Sequence, residues 1–189
     1  MDMQVFDKEM ALHNVMGSEE MLHELINTFI THNIDEQSMQ IFCNSVRDND
    51  IASIFRKTHN LKSTSLYVGA SLLSKAIINL IEFTRSMIAT VIQSSYKNID
   101  DKCDENITQK EVDNAVAIIE LKKTTEPVCS IVEKNNQELY EKFTFRIASE
   151  LFKLTKAHAF DPITQMTEKI LFEVQSYKST VQPFLDKII

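Results

Sequence analysis

The sequence predicts an all-α protein: an antiparallel four-helix bundle over residues 1–97, joined by a linker at 98–107 to a second helical region over 108–189. Three observations carry this expectation. Only 2 glycines and 3 prolines occur in 189 residues, against average usages of about 7 % and 5 %, so turns that need positive φ must be few. None of the Asn-Gly or Asp-Gly pairs that close β-hairpins is present. Apolar side chains recur at three- and four-residue steps through most of the chain.

The elements follow in order. Asp7 is placed to cap a short helix beginning at Lys8, which closes near Gly17, a residue free to take the left-handed conformation of a helix C-terminus. Ser18 restarts the helix, and Met21, Leu22, Leu25, Ile26, Phe29 and Ile30 form its inward stripe. After a soft break at Asn33-Ile34-Asp35 the stripe continues through Met39, Phe42 and Val46, so that one long or gently broken helix is expected. Arg47-Asp48-Asn49-Asp50 is a polar turn whose last residue caps a helix with Ile51, Ile54, Phe55, Thr58, Leu61 and Ser65 on one side. Gly69 separates it from a helix running from Ala70 to about Ser94, with Leu72, Leu73, Ala76, Ile77, Leu80 and Ile81 inward.

Residues 98–107 are acidic and aperiodic. Thr108 and Glu111 have the spacing of a capping box, opening a helix to about Lys123. Pro127 suits the first turn of a further helix through Val128, Ile131, Leu139, Phe143, Ile147, Leu151 and Leu154. Asp161-Pro162 reads as an N-cap followed by proline at the first helical position, with Ile163, Met166, Ile170, Leu171 and Val174 inward and a weaker segment around Pro183. The second region is expected to form a hairpin or a second bundle. Methionines such as Met10, Met16, Met21, Met39 and Met87 read as core filler.

A net charge of −7 works against general affinity for nucleic acid or anionic lipid. Cys43, Cys103 and Cys129 are scattered, without the spacing of a disulfide framework or a zinc site, so no metal or cofactor is expected. The acidic start Met1-Asp2-Met3 lacks a secretory pattern and no uninterrupted apolar run has membrane-spanning length, so the expected location is cytoplasmic.

The chemistry concentrates around His59. On a helix of about 100° per residue, His59 falls at the edge of the buried stripe, partly open to water. Arg56 and Lys62 lie three residues either side, Ser63 four residues on, and Ala52 and Leu66 two turns away on the same side. Arg56, Lys57 and Lys62 create a positive field in an acidic chain. Such a field suits a phosphoryl group, whose charge is spread over three oxygens, and an exposed imidazole nitrogen is a nucleophile for it.

The string His59-Asn60-Leu61-Lys62-Ser63-Thr64-Ser65 followed by Gly69-Ala70 resembles the His-x-Leu-Lys-Gly-Ser-Ser…Gly-Ala signature of histidine phosphotransfer (HPt) domains, the carriers of two-component phosphorelays. The resemblance spans roughly residues 5 to 95. It implies that His59 is the phosphoacceptor, that Lys62 with Arg56 steadies the phosphoryl group, and that Gly69 and Ala70 mark a close approach of helix ends. It also implies receiver domains of response regulators and a histidine kinase as partners, with Ala52, Lys57, Ser63 and Leu66 at the docking surface. The carrier itself would be no enzyme, because the receiver brings the aspartate and Mg²⁺. Ser63 stands where the family has glycine, which bears on transfer rate and partner choice.

Two other readings compete. A di-iron oxidase bundle needs Glu-x-x-His on two helices, and only Glu20-Met21-Leu22-His23 provides it. A helical interaction module, related to phosphotransfer domains but not phosphorylated, would keep the surface and lose the chemistry.

Overall fold

Helices in this chain begin where a short oxygen-bearing side chain precedes an apolar-periodic run. The structure, a computed structural model, describes residues 4–99, 101, 106–122 and 137–188. In order it holds α1 (Lys8–Asn14), α2 (Glu19–Thr28), a π-helical turn (Phe29–Asn33), α3 (Glu36–Arg47), α4 (Ile51–Tyr67) and α5 (Ser71–Lys97). There follow α6 (Gln109–Lys122), α7 (Gln137–Lys156), α8 (Asp161–Leu185) and a 3₁₀ turn (Asp186–Ile188). No strand occurs among the described residues.

The caps explain the starts. Asp7, Ser18, Asp35 and Asp50 each accept a backbone N–H three residues on, at 2.9, 3.2, 3.0 and 3.0 Å, which satisfies one of the free donors of α1 to α4. At α6, the Glu111 carboxylate reaches back to the Thr108 N–H at 2.9 Å as the capping box requires. The Thr108 hydroxyl donates to that same carboxylate instead of taking an N–H. Asp161 is the first helical residue of α8 and Phe160 occupies the cap position. The weaker segment expected around Pro183 is absent, since α8 runs through it to Leu185. The helix expected to open at Pro127 lies outside the described residues up to position 136, and α7 begins at Gln137.

Four helix ends share one device. At the ends of α1, α3, α4 and α7, the residue after the cap has positive φ and the next N–H reaches back five residues: Gly17 to Leu12, Asp50 to Ser45, Ala70 to Ser65 and Ala159 to Leu154. The positive-φ residues are Met16 (53°), Asn49 (54°), Gly69 (72°) and His158 (54°), with Gly17 also positive (80°). Scarcity of glycine therefore does not limit these turns. The left-handed step expected at Gly17 begins one residue earlier, leaving Met16 90 % exposed, and Met21 is also exposed, so neither fills the core.

Gly69 is glycine for a second reason. A Cβ there would lie 2.4 Å from the Asp7 carbonyl oxygen and 3.0 Å from the Ala11 Cβ, whereas one at Gly17 would meet nothing within 4 Å. The Asp7 N–H also donates to the Gly69 carbonyl at 2.8 Å. The start of α1 thus lies directly on the α4–α5 corner.

Helices α3 and α4, α4 and α5, α5 and α8, and α8 and α3 pack against one another. The fourth side of this bundle is accordingly α8, from the C-terminal region. The Tyr177 hydroxyl donates to the Val68 carbonyl at 2.9 Å, which sets that part of α8 beside the start of α5. Helices α6 and α7 pair, α6 lying on α4 and α7 on α5. One buried cluster runs from Ala11 and Leu22 through Leu73 and Ile77 to Ile147, Val174 and Tyr177. The compositional break at 98–107 thus interrupts the chain but not the core, and the second helical region docks back on the first.

Several polar groups inside are paired, whereas the buried Ser95 hydroxyl has no partner among the described residues. Ser74 lies 2.9 Å from Ser65, which itself donates to the Lys62 carbonyl, pinning α5 to the lower half of α4. Glu150 accepts Arg146 at 2.7 Å, Lys153 at 3.0 Å and Ser94 at 3.1 Å, tying α7 to α5. Burial pushes the Glu150 carboxyl up, but the hydrogen bonds from Lys153 and Ser94 and the two cations outweigh it and hold it below its ordinary value. Helix α5 alone among the described helices is long and apolar enough to cross a membrane by length and composition. Its stripe, including Leu73, Ile77, Leu80, Ile81, Ile88 and Val91, forms part of the bundle core.

Three stability outcomes follow, all read by urea denaturation. Gly69→Ala loses about 3 kcal/mol or more, because a Cβ at a positive φ also meets the Asp7 carbonyl, while Gly17→Ala loses about 1 kcal/mol from φ alone. Tyr177→Phe, which leaves the Val68 carbonyl buried without its donor, loses about 1 to 3 kcal/mol.

Candidate functional site

His59 is exposed in the middle of α4. Its imidazole lies over the Phe55 ring, one turn earlier, with centroids 5.9 Å apart and planes 29° from parallel. Helical side chains lean toward the N-terminus of their helix, which explains why the ring falls back on position 55. Phe55 is itself half-buried against the core, so a fixed aromatic floor limits where the exposed ring can swing. Sequence reasoning missed this. The inward stripe includes Phe55, which does pack on the core, but its four-residue spacing also makes it a neighbour of His59.

The charge around the ring is one-sided. From Ile51 to Tyr67, α4 carries Arg56, Lys57 and Lys62 and no acidic residue. Arg56 is exposed and reaches the Ala117 carbonyl of α6 with one guanidinium nitrogen at 3.5 Å, a long contact that leaves its other donors for a ligand. Lys62 is half-buried along its stem, and no carboxylate among the described residues pairs with it. Lys57 stands apart: two residues from His59 is about 200° around a helix, so its ammonium contributes a distant field, not a contact.

The proposed docking residues divide. Ser63 is exposed, as is Leu66 with 38 % of its surface open. Ala52 is fully buried. It does lie on the His59 side of α4, but α6 covers the N-terminal half of that helix, holding on through Arg56 to Ala117, Asn114 to the Asn49 carbonyl at 3.4 Å, and Lys110 to Asp48 at 3.4 Å. Ala52 is therefore a core residue and no part of a docking surface. Gly69 and Ala70 are buried at the α4–α5 corner, where they set the helix approach described above.

On the other side the surface opens. A groove of about 300 Å³ runs between α2 and the C-terminal half of α4, lined by Leu25, Phe29, Tyr67 and Val68 with Ser63 and Asn33 among its polar groups. Its position one turn beyond His59 places an apolar surface beside the cationic one. Tyr67 is held by donating to the Asn14 carbonyl at 3.0 Å while Asn14 donates back to the Tyr67 carbonyl at 3.0 Å.

Among the described residues no group of three His, Cys, Asp or Glu side chains is placed to hold a metal ion. Glu20 is exposed, and His23 is engaged with the Leu185 carbonyl at 3.1 Å and the Phe184 ring. Cys43 is a half-buried free thiol, and Cys103 and Cys129 lie outside the described residues. No family model, curated protein or solved structure matches the chain. What α4 can do chemically is therefore read from its own residues: an exposed imidazole stacked on Phe55, flanked by cations and bordered by an apolar groove.

The stacking has a spectroscopic consequence. In Phe55→Leu the His59 ring protons lose the shielding of the phenyl face and move downfield in the NMR spectrum, while those of His13 and His32 keep their shifts. Unmoved His59 resonances would refute the stack.

Proposed function

We propose that the chain is a phosphoryl carrier in which His59 accepts a phosphoryl group from a receiver-domain aspartate or a kinase and passes it to another receiver. The observation that carries this reading is the exposed imidazole seated on Phe55 between Arg56 and Lys62, on a helix with no acidic residue. In the transfer, a lone pair on the ring nitrogen forms the N–P bond as the P–O bond of the partner's acyl phosphate breaks. The bonding pair leaves with the carboxylate. The cations offset charge on the phosphoryl oxygens in both bound and transferring states, and the same step in reverse discharges the histidine.

The local resemblance to the HPt signature supports the same reading, with Lys62 as the phosphoryl-steadying cation. A receiver domain is a fitting partner because its acidic pocket complements Arg56 and Lys62, and Leu66 with the neighbouring groove supplies an apolar contact. A cytoplasmic location accords with such partners. The second reading, an interaction module that binds through the groove without phosphorylation, is favoured by the groove alone.

Incubation with a phosphorylated receiver domain separates them. The carrier acquires one acid-labile phosphate mapped to His59, His59→Gln abolishes it, and Lys62→Ala slows its acquisition about tenfold. Raising the salt concentration slows transfer further, because exposed charges are screened. Receiver binding without any label would establish the interaction module; a label retained in His59→Gln would move the site.

A further inference from the structure

We propose that the Ser63 hydroxyl donates a hydrogen bond to the phosphoryl group on His59 and so prolongs the life of the phosphorylated histidine. The inference rests on the reading of His59 as phosphoacceptor and adds a group that holds the cargo. It starts from how α4 uses its hydroxyls. Thr58 donates to the Ile54 carbonyl at 2.8 Å, Thr64 to the Leu61 carbonyl at 3.1 Å and Ser65 to the Lys62 carbonyl at 3.0 Å. Such back-bonding is one option for a helical Ser or Thr, and an outward-pointing hydroxyl is the other. Ser63 makes no hydrogen bond among the described residues, and it is exposed.

Position gives that free hydroxyl a target. Side chains four residues apart on a helix have Cβ atoms about 5–6 Å from each other, and each leans toward the N-terminus. Ser63 therefore leans toward His59, as His59 leans on Phe55. On this proposal, a phosphoryl group on the open side of the ring lies within reach of both Ser63 and Lys62. Serine supplies a neutral O–H donor there, and lysine a charge. The bond strengthens the ground state more than the departure, because a leaving phosphoryl group passes through a metaphosphate-like state with less charge on its outer oxygens. Alanine at this position keeps the Cβ and loses only the donor.

The test needs no partner protein. Phosphoramidate phosphorylates exposed histidines directly: its P–N bond breaks, ammonia leaves, and an N–P bond forms on the ring. The full-length chain and Ser63→Ala are labelled in this way and freed of reagent. Loss of phosphate at each histidine is then followed by peptide mapping, with exposed His13, His32 and His158 as internal controls. The expected result is a half-life at His59 about threefold to tenfold shorter in Ser63→Ala, with the control histidines unchanged. An equal half-life at His59 in the two chains overturns the assignment of Ser63 alone. Failure of His59 to take any phosphate while the controls are labelled overturns the assignment together with the carrier reading beneath it.

Discussion

The backbone of Asp7 meets that of Gly69 at a distance no side chain could share, and much of the molecule depends on that meeting. Three successive carbonyls at the end of α4 find donors there, each from a different source. The Tyr67 carbonyl takes the Asn14 side chain, Val68 takes the Tyr177 hydroxyl and Gly69 takes the Asp7 amide. A helix end normally leaves its last carbonyls to water. Here they gather α1, α8 and the α4–α5 corner into one knot, and α8 thereby becomes the fourth wall of the bundle. Burial pushes the Tyr177 phenol above its ordinary value, so it remains a donor at any pH the fold would ordinarily meet.

The knot also orients the candidate site. The residues that follow His59 on α4 are fixed from within by Ser65 against Ser74 and from the end by the three carbonyl bonds. His59, Lys62 and Ser63 thus sit on a frame that does not have to reorganise when a ligand arrives, which is how a few exposed groups obtain a defined geometry. The N-terminal half of the same helix is held differently, by α6 lying across it. His59 therefore has α6 on one flank and the groove against α2 on the other.

Much of this was legible in the residues. Periodicity and capping chemistry gave α1, α4 and α5 nearly to their ends and α2 with α3 as one gently broken helix, because each start depends on interactions within a few positions: Asp7, Ser18 and Asp50 cap what they precede. Exposure of His59 followed from the angle between it and the Ile51–Ser65 stripe. What failed were inferences that needed a second element. Ala52 shares a helix face with His59, but a wheel drawn for α4 alone contains no α6. The break at 98–107 marks a linker but leaves open where the second region goes, since nothing in the order of residues says that Tyr177 returns to Val68. Counting glycines misled about turns for a related reason. A left-handed residue costs about 1–2 kcal/mol in a non-glycine, and the two backbone bonds of each helix end help offset that cost at Met16, Asn49 and His158. Only where another backbone closes in, at Gly69, does the side chain have to vanish.

The same distinction separates the parts of the site. His59, Arg56, Lys62 and Ser63 are related by three- and four-residue steps, so their grouping is a property of one helix and would survive in any fold that kept α4 exposed. The groove is not: Leu25 and Phe29 reach Val68 only because α2 packs where it does. A chain could therefore lose its partner while keeping its nucleophile, or keep a binding surface after the nucleophile had gone. For the proposed carrier both must be present at once, and the architecture couples them through Val68. Its carbonyl anchors α8, it lines the groove, and it caps the histidine's helix nine residues on. A disturbance at that one residue would loosen the bundle and reshape the docking face together, whereas a change at His59 would touch the chemistry alone.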